Sequence, residues 1–232
     1  MFKAVIFDLD DTLYNYEEIN EAAIKKLCDY TCNALNIDEA LFKEAFEYGR
    51  KSTKEGLENV ASGHNRMIYC QKTLEYLGVN PIMNSLEMYD VYWNSMLDTM
   101  TLNEGVIELF EFLKEHNIKI GICTDLTTNI QHRKLRKLDI AKYVDCIVTS
   151  EEAGQEKPSN KMFDLCIKKL DVLRNEACYV GDSFKKDVIG ASKAGLLPIW
   201  YNPANKKQIE TGFEYKEIAS ITQIKKLIQQ CV

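Results

Sequence analysis

Short runs of β-branched and apolar residues, each followed by a polar turn and then by helical periodicity, recur along this chain. No other feature constrains its fold as much. The first run, Lys3–Phe7, stops at Asp8-Leu9-Asp10-Asp11. Short length, β-branching and bounding turn residues mark such runs as strands. Further strands are expected at Ile118–Cys123, Val144–Val148, Ala177–Val180 and Leu197–Trp200. Helices at 127–138, 159–170 and 184–194 separate them, the last ending at Gly195, and Ser220-Ile221-Thr222-Gln223 opens a final helix as a capping box. Strands alternating with helices require right-handed crossovers. The expected fold is therefore α/β, a Rossmann-like, mainly parallel sheet with helices on both faces.

The alternation is interrupted once. From Tyr14 to Leu102 the pattern is helical, with no strand. Ile24, Leu27, Cys28, Thr31 and Leu35 share one face; Phe42, Ala45, Phe46 and Gly49 share another. Met67, Cys70, Leu74 and Leu77 form a third face, and Tyr89, Tyr92, Trp93, Met96, Leu97 and Met100 the clearest stripe. Residues 14–102 are expected to form a helical domain inserted into an α/β core of residues 1–13 and 103–232. Gly63-His64-Asn65-Arg66 reads as a polar loop between two of its helices, and Arg50 closes a helix rich in aromatics; solvated surface is the expected place of each arginine, and contact with a substrate the alternative.

Composition narrows the class of partner. Lysine and arginine total 29 against 35 acidic residues, a formal charge of −6, which leaves no basic surplus for nucleic acid. A small anionic substrate needs only local positive charge. The N-terminal apolar run is too brief for a signal peptide, and no run is long enough to span a bilayer. The eight cysteines contain no C-x-x-C pair and lie mostly in apolar runs, as free thiols of a reducing compartment do. The expectation is a cytoplasmic protein without nucleic-acid or membrane partners, monomeric or homodimeric.

In parallel α/β sheets, ligands bind beyond the carboxyl ends of the strands. Polar groups stand there in this chain. The first strand leads into Asp8-Leu9-Asp10-Asp11-Thr12-Leu13, the second into Thr124-Asp125, and the fourth into Gly181-Asp182-Ser183 with Asp187 in the next helical turn. Glu156-Lys157-Pro158 follows the third, at a helix entry. This inventory meets the demands of phosphoryl transfer. A carboxylate such as Asp8 can attack phosphorus and divide hydrolysis into two steps. It repels the phosphate unless a cation screens both, and Asp8 with Asp182 offers hard oxygen ligands for Mg²⁺. Thr124 and Lys157 supply a hydroxyl and an ammonium for the remaining charge. Asp10, two residues after Asp8, projects on the same face of an extended backbone and suits an acid/base role.

These four ordered elements resemble the haloacid dehalogenase-like hydrolase superfamily. Asp8-Leu9-Asp10-Asp11-Thr12 is similar to its D-x-D-x-T signature, and Thr124, Lys157 and the pair Asp182 and Asp187 to its later motifs. The resemblance implies that Asp8 is the nucleophile and Asp10 the general acid/base. It implies Mg²⁺ held by Asp8, the Asp10 carbonyl and Asp182, with Asp187 fixing Lys157 or the metal's waters. It also implies that the helical insertion is a cap. The expected activity is hydrolysis of a small phosphorylated metabolite, a sugar phosphate or nucleotide. A sugar phosphomutase would use the same core, and a phospho-accepting regulatory protein would need only Asp8. One residue departs from the family pattern: Asp125 occupies a position where Asn is usual, which sets a carboxylate against anion binding unless it points away.

Overall fold

A computed structural model of the chain describes residues 2–208 and 212–230. They form two compact units, residues 1–15 with 101–232, and residues 16–100.

The first unit is built on six parallel strands. In chain order they are β1 (Ala4–Phe7), β2 (Lys119–Thr124), β3 (Cys146–Thr149), β4 (Ala177–Gly181), β5 (Leu197–Tyr201) and β6 (Lys216–Ile218), in the spatial order β3-β2-β1-β4-β5-β6. The N-terminal strand is central. Phe7 pairs in register with Ile122 on one side and with Val180 on the other, and all four β1 residues are buried. That placement explains why the run carries no polar residue, since both of its faces are covered. Chain direction across the sheet reverses at β1, so the crevice beyond β1 and β4 is the topological switch point where ligands of such sheets bind.

The second unit consists of α1 (Tyr16–Leu35), α2 (Glu39–Gly56), α3 (Arg66–Tyr76) and α4 (Ser85–Thr99). Asp38 caps α2 by accepting from the Leu41 amide at 2.8 Å, and Asn65 caps α3 by accepting from Met67 at 2.9 Å. Phe42, Ala45, Phe46 and Gly49 form the buried face of α2. A Cβ on Gly49 would lie 2.6 Å from the Tyr69 carbonyl, so only glycine allows α2 and α3 to approach this closely. The buried face of α3 is rotated from the expected one. It comprises Arg66, Tyr69, Cys70, Thr73 and Leu74, with Met67 and Leu77 only half-buried.

Helices of the first unit are α5 (Val106–Glu115), α6 (Thr128–Lys137), α7 (Ser150–Ala153), α8 (Asn160–Leu170), α9 (Ile189–Lys193) and α10 (Gln223–Gln230). Two features differ from the sequence expectation. β6 had no signal, because only Ile218 of its three residues is buried. The helix expected from Phe184 begins instead as a π-helical turn, Phe184–Val188, before α9. The wider turn carries Asp187 inward until it is fully buried. Seven cysteines are free thiols; Cys231 lies outside the described residues. Among the described residues, no helix is long and apolar enough to cross a membrane.

Candidate active site

β1 delivers Asp8 directly to the switch point, where its amide donates to the Val180 carbonyl at 2.8 Å. β4 delivers Asp182 alongside it. Thr12 joins the two loops: its buried hydroxyl accepts from the Asp182 amide at 3.1 Å. The Trp200 indole N–H donates to the Asp182 carbonyl at 2.9 Å and fixes the same loop from β5. Carboxylate oxygens of Asp8, Asp182 and Asp187 lie within 4.8 Å of one another.

One ammonium lies among these three carboxylates. Lys157 Nζ is 2.7 Å from Asp8 Oδ1 and 2.7 Å from Asp187 Oδ1, and it donates to the Tyr179 hydroxyl at 3.0 Å. Asp187 is fully engaged, because it also accepts from the Tyr179 hydroxyl at 3.1 Å and from the Ser183 amide at 2.9 Å. Its close packing against β4 requires Gly181, where a Cβ would meet the Asp187 carboxyl carbon at 2.4 Å. Negative charge still exceeds positive in the cluster. Burial pushes the Asp8 carboxyl well above the ordinary range, Lys157 opposes this, and Asp187 and Asp182 reinforce it. Burial, with Asp187 and Asp11 nearby, pushes Asp182 up to about 7. Hard oxygen donors this close, with surplus negative charge, suit a divalent cation such as Mg²⁺. Asp8 and the half-buried Asp182 are the carboxylates best placed to hold one.

Asp10 faces a different environment. Its two oxygens accept from Lys134 Nζ at 2.7 and 2.9 Å, and Oδ1 also accepts from the Tyr14 hydroxyl at 2.6 Å. Burial raises this carboxyl, but the Lys134 charge and the hydrogen bonds from Lys134, Tyr14 and Gln131 win, so the net shift is downward. Gln131 also donates to the Thr124 hydroxyl at 2.7 Å, which ties the end of β2 to the Asp10 environment. Lys134, Gln131, Tyr14 and Tyr179 were given no role in the site from the sequence. The available signal was Gln131 and Lys134 on the buried stripe of α6 with Ile130 and Leu135, a polar intrusion into an apolar face.

Asp125 does not confront the site with a bare charge. Its Oδ1 accepts from the Lys157 amide at 3.0 Å and its Oδ2 from Lys186 Nζ at 2.8 Å, while Lys186 also reaches Glu156 at 3.2 Å. The carboxylate that departs from the family pattern is therefore paired with a lysine brought in from the π-helical turn.

The chain matches the family model described as haloacid dehalogenase-like hydrolase over residues 5–200. It is 36% identical to the ribulose-1,5-bisphosphate 5-phosphatase of Halopiger xanaduensis, covering 89% of this chain and 87% of that protein. It is 30% identical to the glyceraldehyde 3-phosphate phosphatase of Methanocaldococcus jannaschii, covering 90% and 89%. The fold resembles that of a 2-haloacid dehalogenase from Pseudomonas syringae pv. tomato, with a TM-score of 0.81 at 22% identity over 100% of both chains. An HAD phosphatase from Thermococcus onnurineus gives 0.76 at 24% identity over 98% of both. With the Asp8–Leu13 loop, Lys157 and the pair Asp182 and Asp187 gathered at one switch point, the chain belongs to the haloacid dehalogenase-like hydrolases.

Proposed function

We propose that this phosphatase hydrolyses a small phosphorylated metabolite, a sugar phosphate or nucleotide, by way of an aspartyl phosphate on Asp8 and with Mg²⁺ in its site. The observation that carries this reading is the contact of Lys157 with Asp8, beside Asp182, at the carboxyl ends of β1 and β4. A cluster of three carboxylates and one ammonium repels a phosphate until a cation joins it. Asp8, the Asp10 carbonyl and Asp182 would hold Mg²⁺, which would supply that charge and screen nucleophile from substrate.

The chain's own groups perform the rest. A carboxylate oxygen of Asp8 attacks phosphorus and the bond to the leaving alkoxide breaks. Asp10 in its acid form hands the alkoxide a proton. Water then attacks the aspartyl phosphate, giving its proton to ionised Asp10, and phosphate leaves with Asp8 restored. The Lys134 and Tyr14 contacts favour ionised Asp10, the form needed in this second half. Lys157 and the Thr124 hydroxyl hold phosphate oxygens, and Asp187 with Tyr179 fixes Lys157. The helical unit serves as the cap that selects the substrate. The relatives' named substrates, a pentose bisphosphate and a triose phosphate, support a small metabolite, and the free thiols fit a cytoplasmic setting.

The test is a screen of phosphorylated metabolites, with and without Mg²⁺, that measures both inorganic phosphate and the dephosphorylated product. Metal-dependent release of both supports the reading. An isomeric phosphate in place of free phosphate would identify a mutase instead.

A further inference from the structure

The helical unit contains a cavity of about 640 Å³, walled by residues of α1, α2, α3 and α4. Four cationic side chains line it, Lys43, Arg50, Lys54 and Arg66, against one carboxylate, Glu47. Lys43 and Arg50 are exposed, and each is tied to a glutamate of its own helix, Glu39 and Glu47. They stand at the rim. Arg66 is different.

The Arg66 side chain was expected in solvent, yet the residue is only 8% exposed. Its guanidinium is packed among the rings of Tyr69, Tyr92 and Trp93, at 5.3, 5.4 and 5.7 Å from their centroids. It donates to the His64 carbonyl at 2.7 Å and to the Tyr16 hydroxyl. Among the described residues, no carboxylate pairs with it. Burying a cation without a counter-ion is costly, and aromatic faces and neutral oxygens offset only part of that cost.

The surrounding hydrogen bonds run in one direction. Arg66 donates to Tyr16, Tyr16 donates to Asn20 Oδ1 at 3.2 Å, and Tyr92 donates to the same oxygen at 2.6 Å. Two hydroxyls thus fill the acceptor of Asn20 and leave its amide nitrogen as a donor at the cavity wall. The guanidinium fork likewise has more N–H groups than these neutral oxygens use. The cavity is rich in cations and in surplus donors, and its one carboxylate, Glu47, is taken up by Arg50, so it offers Arg66 no acceptor carrying negative charge.

We propose that this cavity is an oxyanion-binding site, with Arg66 and Asn20 as its floor and Lys43, Arg50 and Lys54 as its rim. The oxyanion is the phosphate group of a phosphorylated metabolite.

The test is the arginine ¹H–¹⁵Nε NMR spectrum of the full-length Asp8→Asn chain, which binds ligands without turning them over. The Arg66 signal is assigned by its loss in Arg66→Lys. Titrated with inorganic phosphate, the Arg66 signal is expected to move and saturate. Arg66→Lys keeps the charge but loses the fork, and should weaken binding about tenfold or more, read from rim signals such as Arg50 Nε. An Arg66 signal that stays in place up to about 20 mM phosphate, far above a millimolar affinity, overturns the proposal.

The Thr124 and Asp182 amides report on the core site and should follow an isotherm of their own. A response at Arg66 with none at those amides supports this site while counting against the phosphatase reading.

Discussion

Lys134 Nζ lies 2.7 and 2.9 Å from the two carboxylate oxygens of Asp10, and the lysine side chain is wholly buried while that of Asp10 is 23% exposed. Asp10, the acid/base residue of the proposed mechanism, is thus held from behind by a helix residue that solvent does not reach. Its open side remains available to a leaving group or a water. In that mechanism Lys134 is a positioning residue, acting on the reaction through Asp10.

The first prediction follows from that pair. Lys134→Met should lower kcat by about ten- to a hundredfold for alkyl phosphates, within the usual share of general acid–base catalysis. The loss should be as large for an aryl phosphate, because hydrolysis of the aspartyl phosphate, the half that needs ionised Asp10, is common to both substrates. Since Lys134 acts through Asp10, the double variant with Asp10→Asn should be no slower than Asp10→Asn alone. Additive losses in steady-state kinetics would assign Lys134 a separate role.

A second prediction concerns the crowded carboxylates Asp8, Asp182 and Asp187. EDTA should abolish turnover, and Mg²⁺ should restore it. The same ion should raise the thermal midpoint of the substrate-free chain, because it binds the folded cluster and not the unfolded chain. At a hundred times its dissociation constant the gain is about 2.7 kcal/mol. Asp182→Asn should weaken this stabilisation. Full activity after verified metal removal would overturn the metal assignment.

Lys157 offers a third. It is buried between Asp8 and Asp187, so Lys157→Met leaves two carboxylates beside each other with no cation. Breaking a buried pair in this way costs about 3–5 kcal/mol, which urea denaturation can measure. Activity should vanish as well. A variant that keeps its stability while losing activity would show that Lys157 does not hold the fold of the site together.

The fourth tests the compensated charge at Asp125. Lys186→Met removes one partner of the Asp125 carboxylate and leaves that charge close to the phosphate site. Inhibition by inorganic phosphate should weaken by about tenfold, the scale of one charge–charge contact near a protein surface. In that background Asp125→Asn should restore it. No response to Lys186→Met would mean that Asp125 is already silent without its partner.

How much of this could be read from the chain depended on the range of each interaction. Asp8, Thr124 and Asp182 were legible because they directly follow strands, and strand position in a parallel sheet fixes which end faces the crevice. Lys134 was hidden by its company: in Arg133-Lys134-Leu135-Arg136-Lys137 it resembles one more residue of a solvated face. Its burial depends on Asp10, distant in sequence, and local periodicity carries no trace of that partner. Arg66 was obscured in the same way. Gly63-His64-Asn65-Arg66 has the composition of a loop, but Asn65 caps α3, and the helix turns Arg66 in among three aromatic rings. β6 is too short to have a period, and the π-helical turn at Phe184–Val188 depends on the pull of Lys157 on Asp187.

The central place of β1 has a consequence for how the protein comes into being. The strand that leads into Asp8 is made before either of its neighbours: β2 begins at Lys119 and β4 only at Ala177. At cellular rates of synthesis, Phe7 waits roughly ten to thirty seconds before its second partner exists. Both edges of this apolar strand are unpaired until β2 is made, and one remains so until β4 is made, which leaves it open to wrong pairing. The helices of residues 16–100 are complete long before and can fold on local contacts alone. A nascent chain released before β4 would carry a folded helical unit and the whole Asp8–Leu13 loop, but not the Val180 carbonyl that fixes Asp8.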